Sequence, residues 1–211
     1  MKCILLFFLI SLSVVSYSQD TYKDCGMNGN APQGTAKAIT NRSKNRYTFP
    51  TAKDIDKKIT ASVLLASTDG KNEDKRFDTT KAATITAYCS DVKVGGSKGE
   101  SCNCKMTDRD DIDTHIELTL EPMNGGTPET IIVEVTPRIR AIMKAKGIDW
   151  STKALRQQFM GRWVRVTGWL FYDYDHVSQA LNTAPNNPKC WRRSCWEIHP
   201  ITSIEVTNRN R

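Results

Sequence analysis

Histidine and carboxylate residues alternate in two separate segments of the sequence. Asp113, His115 and Glu117 follow one another at two-residue spacing, and Glu197 and His199 repeat that spacing toward the C-terminus. Side chains two residues apart lie on the same face of a β-strand. Imidazole and carboxylate groups bind divalent metals and carry protons in acid–base catalysis. Each segment could therefore contribute to a metal site or to an acid–base pair.

A third segment combines aromatic rings with an arginine. Trp163, Arg165, Trp169 and Phe171 alternate with small or apolar residues, which predicts a strand with one aromatic face. Such a face can stack on bases or sugars, and each stacked base contributes about 1–3 kcal/mol. In the alternative interpretation, the helix predicted before this strand or the loop over 173–195 covers the rings as a second apolar layer.

Six cysteines follow the N-terminal segment: Cys25, Cys89, Cys102, Cys104, Cys190 and Cys195. An even number of cysteines in an exported chain indicates disulfides. Cys190 and Cys195 can bridge one loop, and we predict that pair. Only one residue separates Cys102 from Cys104, so we expect each to reach a different partner, with Cys25 and Cys89 as candidates. A metal site made of Cys102, Cys104 and histidines is the alternative, although metal sites usually have a longer cysteine spacing.

The N-terminus has the pattern of an export signal. Lys2 precedes an apolar run over 4–15, and the small residues Ser16 and Ser18 follow it. This order predicts a signal peptide over 1–18 that is removed on export. The apolar run is shorter than the roughly 20 residues that a membrane span requires. We therefore expect a periplasmic or secreted protein without a membrane span.

The elements that must position these residues follow a recognisable order. Residues 19–58 are polar and have no apolar period, which predicts an irregular extension, whereas 59–207 should form one domain. Strands are predicted over 83–94, 114–120, 130–135, 163–172 and 196–206, and helices are predicted to begin near Pro137 and Ser151. Three strands, a helical insertion and two further strands predict a mainly β, OB-like, partly open five-stranded barrel. Pro200 predicts an edge or a bulge in the last strand.

The OB-like strand order also limits how the two histidine segments can combine. In that order the last strand lies beside the third strand, so one strand separates His115 from His199. Because neighbouring strands are about 4.8 Å apart, the histidines should lie on the order of 10 Å from each other. We therefore expect that they do not share one metal directly. Surface hydrogen bonds and ion pairs are the competing explanation for both segments.

Four segments of the chain resemble a family of bacterial secreted proteins. They are Glu100–Cys104, Asp113–Leu118, Val164–Leu170 and Trp196–Thr202, and they recur in that order within about 60–206. The resemblance implies an OB-like barrel and no particular activity. A fold alone does not identify a function.

Composition and pattern favour a binding module over an enzyme. The net charge of +7 and the pI of about 9.0 would suit anionic partners, and a charge that only keeps the protein in solution is the alternative. We expect a non-enzymatic module without a cofactor that binds nucleic acid or oligosaccharide through the aromatic strand. A metal-dependent hydrolase or phosphodiesterase that uses the His and carboxylate segments is the second hypothesis. A structural envelope protein that docks a partner is the third.

We expect signal cleavage between Ser18 and Gln19, because the small residues that signal peptidase requires end there. Intact-mass measurement of the exported protein should give a chain that begins at Gln19. A chain that retains Met1, or that begins beyond Asp24, would contradict the assignment.

Overall fold

A computed structural model describes residues 20–96 and 99–209, and the predicted signal peptide over 1–18 lies outside this part of the chain. The strands are β1 (Thr21–Tyr22), β2 (Cys25–Gly26), β3 (Ala82–Val94), β4 (Thr114–Thr119), β5 (Ile131–Val135), β6 (Trp163–Tyr172) and β7 (Trp196–Val206). The helices are α1 (Ala36–Lys44), α2 (Ala61–Leu64), α3 (Pro137–Ala145) and α4 (Thr152–Phe159). No helix in the described ranges is long and apolar enough to cross a membrane.

Five strands form a barrel in the order β3–β4–β5–β7–β6, and β6 pairs back with β3. All neighbours are antiparallel except β5 and β7, which run parallel. This is the OB-like order that the sequence predicts, with α3 and α4 inserted between the third and fourth barrel strands. The barrel is closed, so the expectation of a partly open barrel is corrected.

Alternation along the strands directs aliphatic side chains into the barrel. Leu118 of β4, Val166 of β6 and Ile198 of β7 are all fully buried in the core. Gly168 lets β7 cross closely, because a Cβ at this position would collide with the carbonyl oxygen of Pro200. Beside Pro200 the pairing shifts by one residue, which confirms the predicted bulge.

The N-terminal extension is more ordered than its composition predicts. Thr35 caps α1 by accepting a hydrogen bond from the Ala38 N–H. The buried positions of this helix are Ala38, Asn41 and Lys44. Because two of the three are polar, the sequence shows no apolar period, and the helix is missing from the sequence prediction. The short helix α2 follows Thr60, whose side chain caps it by accepting a hydrogen bond from the Val63 N–H.

One disulfide joins the extension to the barrel domain. Cys25 is bonded to Cys104 across a sequence separation of 79. Cys89, Cys102, Cys190 and Cys195 are free thiols among the described residues. The predicted Cys190–Cys195 pair is therefore wrong: Cys195 is buried just before β7, and the Cys190 thiol donates to the carbonyl of Ala184. The alternative metal site is also excluded, because oxidised Cys104 cannot act as a thiolate ligand.

We expect the double substitution Cys25→Ser with Cys104→Ser to lower the free energy of unfolding by about 4 kcal/mol, because it reopens a long loop in the unfolded chain. The single substitution Cys190→Ser should change it by less than about 1 kcal/mol, since only one weak hydrogen bond is altered. Urea unfolding of both variants without reductant tests the difference. Equal losses of unfolding free energy in the two variants would show that the Cys25–Cys104 disulfide does not stabilise the fold.

Candidate metal centre

The strand order places a carboxylate between the two predicted histidines. His115 of β4 pairs across the sheet with Glu134 of β5, and β5 in turn pairs with β7, which carries His199. The His115 Nδ1 lies 2.9 Å from Glu134 Oε1, and the His199 Nδ1 lies 3.1 Å from Glu134 Oε2. The prediction that one strand separates the histidines is confirmed. One carboxylate nevertheless contacts both of them.

The remaining predicted residues surround this central group. Glu117 Oε1 lies 3.5 Å from His115 Nε2, and Asp113 Oδ2 lies 3.5 Å from His199 Nε2. Glu197 Oε2 lies 3.4 Å from His199 Nδ1. The structure thus brings all five sequence-predicted residues into one cluster.

The cluster lies outside the barrel but is not exposed to solvent. Asp113, Glu117, Glu197 and His199 are 1%, 1%, 2% and 0% exposed. The competing explanation is therefore wrong in placing these residues at the surface, whereas the ion pairs that it expects are present between the strands. Alternation along a strand separates the inside of a barrel from its outside, but it does not reveal what covers the outside.

Segments from three parts of the chain cover the cluster: α1, the loop that holds Glu100, and the loop between β6 and β7. Lys44, at the end of α1, reaches in and places its Nζ 2.6 Å from Glu100 Oε2. The loop between β6 and β7 contributes Asp173, His176 and Arg192. Since the sequence contains three histidines, all of them belong to this cluster or its cover.

Arg192 links the cover to the strands. Its Nη1 lies 2.8 Å from Glu197 Oε1 and 3.6 Å from Asp173 Oδ2, and its Nε donates to the Ser194 carbonyl at 2.7 Å. Asp173 also forms an ion pair with His176. This network fixes a guanidinium that is only 1% exposed.

Asp113 is positioned by groups outside the strands. Asn103 donates to its Oδ1 at 3.0 Å. Arg140 of α3 donates to the Ile112 carbonyl at 3.1 Å and to the Thr114 hydroxyl at 2.8 Å, which fixes the backbone on both sides of Asp113. The predicted helical insertion thus orients the start of β4.

Four buried ligand atoms in the cluster have no hydrogen-bond partner among the described residues: Asp113 Oδ2, His115 Nε2, Glu134 Oε2 and His199 Nε2. Glu134 Oε2 faces the His199 Nδ1, and Asp113 Oδ2 faces the His199 Nε2. One ligand atom each from Asp113, Glu134 and His199 lies within 4.8 Å of the others. Buried polar atoms are normally hydrogen-bonded, so these three residues are the candidate ligands of a metal ion.

A second group of potential ligands is already satisfied. Glu100, Cys102 and Asp113 also have ligand atoms within 4.8 Å of one another. However, Lys44 pairs with Glu100, and the Cys102 thiol donates to Glu100 Oε2 at 3.3 Å. Burial raises the pKa of this thiol well above its ordinary value, with the Asp113 charge adding to the effect. The second group is therefore better described as a protonated thiol beside an ion pair than as a metal site.

The neighbouring carboxylates favour the protonated forms of the two histidines. Burial disfavours charging of His199, but Glu134, Glu197 and Asp113 outweigh it and raise its pKa to about 10. Burial likewise opposes charging of His115, and its contacts with Glu117 and Glu134 raise its pKa to about 9. Without a metal, the cluster is therefore held together by protonated imidazoles.

The acids respond to the same neighbours. Burial disfavours ionisation of Glu134, yet His199 and His115 hold its pKa well below the ordinary value. Burial raises the pKa of Asp113 to about 7, although His199 opposes this shift. The carboxylate between two histidines thus remains ionised, whereas the outer one holds a proton more readily.

Sequence reasoning missed Glu134, Lys44, Asp173, His176 and Arg192. Glu134 is the one charged residue within β5, and it faces the same side as the histidines in the predicted strand order. That signal could have been found by placing the predicted strands side by side. The other four lie in a polar helix and in a loop, where the sequence has no apolar periodicity from which burial could be predicted.

The predicted aromatic face of β6 is divided between different environments. Trp169 donates from Nε1 to the Thr48 carbonyl at 2.8 Å, so the N-terminal extension covers it. Phe171 is 3% exposed, and its ring centroid lies 5.4 Å from that of His199. The N-terminal extension therefore covers Trp169, whereas Phe171 packs against the histidine–carboxylate cluster.

The other half of that face is more open. Arg165 is exposed and forms an ion pair with Glu205 at 2.7 Å. Trp163 is half-buried, with the Arg209 guanidinium 5.2 Å from its ring. These residues do not form a continuous aromatic platform with Trp169 and Phe171.

Comparison with known proteins found no similar protein. No family model, no curated protein and no solved structure matches the chain. The fold and the site therefore define the protein as an OB-like barrel with a buried histidine–carboxylate cluster on its outer face.

We expect the metal-free protein to lose stability as the pH rises from about 7 to about 9. The folded-state pKa values of His115 and His199, about 9 and about 10, exceed the unfolded value of about 6.5. Their stabilising effect is therefore complete below about pH 6.5 and is lost as the pH rises through the folded values. Urea unfolding in a chelator-treated buffer measures this slope.

The substitution His115→Gln should reduce that slope, because it removes one of the two protonated imidazoles. The substitution Glu205→Gln, at an exposed ion pair, should leave it unchanged. A free energy of unfolding that does not change over this pH interval would contradict the assigned protonation.

Proposed function

We propose that this protein is a metal-dependent hydrolase whose divalent ion is bound by Asp113, Glu134 and His199. The observation that carries the proposal is that Asp113, Glu134 and His199, all buried, each bring one ligand atom within 4.8 Å of the others. The donor set is one imidazole and two carboxylates. Catalytic zinc sites use three protein ligands, drawn from imidazoles, thiolates and carboxylates, and leave the fourth position for water.

The charge of the cluster also supports a cation. Six carboxylates face three permanent cations, Lys44, Lys93 and Arg192; the carboxylates are those of Glu100, Asp113, Glu117, Glu134, Asp173 and Glu197. Protonated histidines, a proton on Asp113 or a bound cation would balance the excess. A metal that replaces the proton on His199 would supply that charge while satisfying the unpaired atoms.

The residues that contact the proposed ligands are suited to support a metal-bound histidine. When one imidazole nitrogen binds a metal, the other usually donates to a carboxylate, which fixes the ring. In His199 the Nε2 is the unsatisfied nitrogen, and Nδ1 faces Glu197 at 3.4 Å. Asn103 in turn holds the second oxygen of Asp113. Each ligand thus has a supporting partner.

A cleft of about 540 Å³ reaches the cluster at Glu134, which is the one proposed ligand in its lining. Its lining includes His115 and Glu134, and a volume of this size suits a small substrate. A metal lowers the pKa of its bound water and polarises the bond to be cleaved. His115, oriented by Glu134 through Nδ1, is placed to exchange a proton through Nε2.

Binding through the aromatic strand remains a second proposal, and one observation favours it. A groove of about 420 Å³ is lined by Trp163, Thr84, Thr86 and Arg209. A half-buried ring flanked by hydroxyls and a guanidinium could hold an oligosaccharide or a nucleic-acid base. If this groove is the binding site, Trp163→Ala should abolish retention on an immobilised glycan or single-stranded DNA.

We expect the chelator-treated protein to bind one equivalent of Zn²⁺. His199→Gln and Glu134→Gln should each weaken binding by more than about 100-fold, because each removes a ligand; loss of a mere supporting partner already costs about 10- to 100-fold. Isothermal titration and metal analysis after dialysis measure affinity and stoichiometry, and circular dichroism checks folding.

Glu205→Gln is the matched control, since it removes an exposed carboxylate outside the cluster. It should bind zinc as the wild type does. Zinc binding that is absent in the wild type, or that persists in folded His199→Gln, would show that the cluster is a purely structural ionic network.

A further inference from the structure

We propose that the cleft beside the metal centre binds phosphate esters, with the Arg192 guanidinium as the fixed phosphate donor. This inference rests on the proposed function and names its substrate class. Arg192 lines the cleft and is 1% exposed, and its Nη2 has no hydrogen-bond partner among the described residues.

The unsatisfied nitrogen belongs to a guanidinium that cannot turn away from the cleft. Its Nε is bonded to the Ser194 carbonyl and its Nη1 to Glu197, at 2.7 and 2.8 Å. Two anchored nitrogens leave the third at a defined position. A buried guanidinium with one free N–H group is suited to an oxyanion, because such charge-assisted hydrogen bonds are short and strong.

Further cationic donors line the same cleft. His115 also lines the cleft, and its Nε2 lacks a hydrogen-bond partner among the described residues. Lys93 lines the opening, and its side chain is 48% exposed although it pairs with Glu117. Five carboxylates line the same cleft, those of Glu100, Glu117, Glu134, Asp173 and Glu197. The bound metal must therefore supply much of the positive charge for a phosphate group, and the arginine, the imidazole and the lysine supply hydrogen-bond donors for its oxygens.

The position of Trp191 argues against a sugar as the group bound here. The Arg192 guanidinium lies 5.3 Å from the centre of its ring, and the rings of His115 and His176 each lie 5.9 Å from it. The guanidinium already lies over the ring, which leaves less of the indole face for stacking on a sugar. Trp191 instead contacts Arg192, His115 and His176 on one side of the cleft.

The reaction balances with water as the only co-reactant. The oxygen of a water molecule forms a new bond to phosphorus, and the bond from phosphorus to the ester oxygen breaks. One water proton is released from the attacking oxygen, and one proton goes to the departing alkoxide. The products are an alcohol and a phosphate with one ester bond fewer.

The test uses the full mature chain loaded with zinc. Inorganic phosphate is titrated into it, and hydrolysis of p-nitrophenyl phosphate and bis-p-nitrophenyl phosphate is compared with that of p-nitrophenyl acetate. We expect phosphate to bind and at least one phosphate ester to be cleaved in preference to the acetate. Arg192→Lys should weaken phosphate binding about tenfold or more, because it removes the defined N–H donor, and should leave the zinc content unchanged.

Lys93→Gln provides a second variant at a more exposed position, in case Arg192→Lys fails to fold. It should also weaken phosphate binding. Arg193→Gln is the control, since Arg193 is the neighbour of Arg192 but pairs with Glu129 outside the cleft lining. It should bind phosphate as the wild type does.

The outcomes separate the two proposals. Zinc binding without phosphate binding, or with cleavage of the acetate alone, overturns the phosphate assignment and leaves the metal centre standing. Phosphate binding that is equal in the wild type, Arg192→Lys and Lys93→Gln also overturns it. Absence of zinc binding overturns the proposed function itself.

Discussion

One carboxylate, that of Glu134, lies between two histidines from neighbouring strands, and the remaining cluster is arranged around this contact. The carboxylate is buried, so its charge must be compensated locally. His115 and His199 supply that compensation, and each then requires an acid on its other side. Asp113, Glu117 and Glu197 meet this need, which extends the alternation of charge across three strands. A divalent ion held by Asp113, Glu134 and His199 would likewise supply positive charge to the cluster.

The barrel and its cover serve this arrangement in different ways. The OB-like order places β5 between β4 and β7, so side chains from three strands converge without any loop being needed to align them. The extension and the loop before β7 exclude water and contribute Lys44 and Arg192. The Cys25–Cys104 bond ties that extension to the segment that precedes β4. Low solvent access strengthens each charge interaction in the cluster.

The sequence predicted what depends on local periodicity and missed what depends on long-range packing. Strict alternation identified the strands and set Asp113, His115 and Glu117 on one face, and cap residues such as Ser151 located the helices. It could not show that this face is buried, since the covering residues lie in segments without apolar period. Likewise, the pairing of Cys25 with Cys104 depends on how the extension folds back, whereas proximity along the chain wrongly favoured Cys190 with Cys195.

Anomalous X-ray diffraction at the zinc absorption edge, from crystals grown with Zn²⁺, tests the metal centre most directly. We expect one strong peak among Asp113, Glu134 and His199, at about 2.0–2.2 Å from each ligand atom. The contacts of His199 with Glu197 should be retained. A map without a peak at this position at saturating zinc would contradict the metal centre. In that case, protonated histidines alone would balance the charge of the cluster.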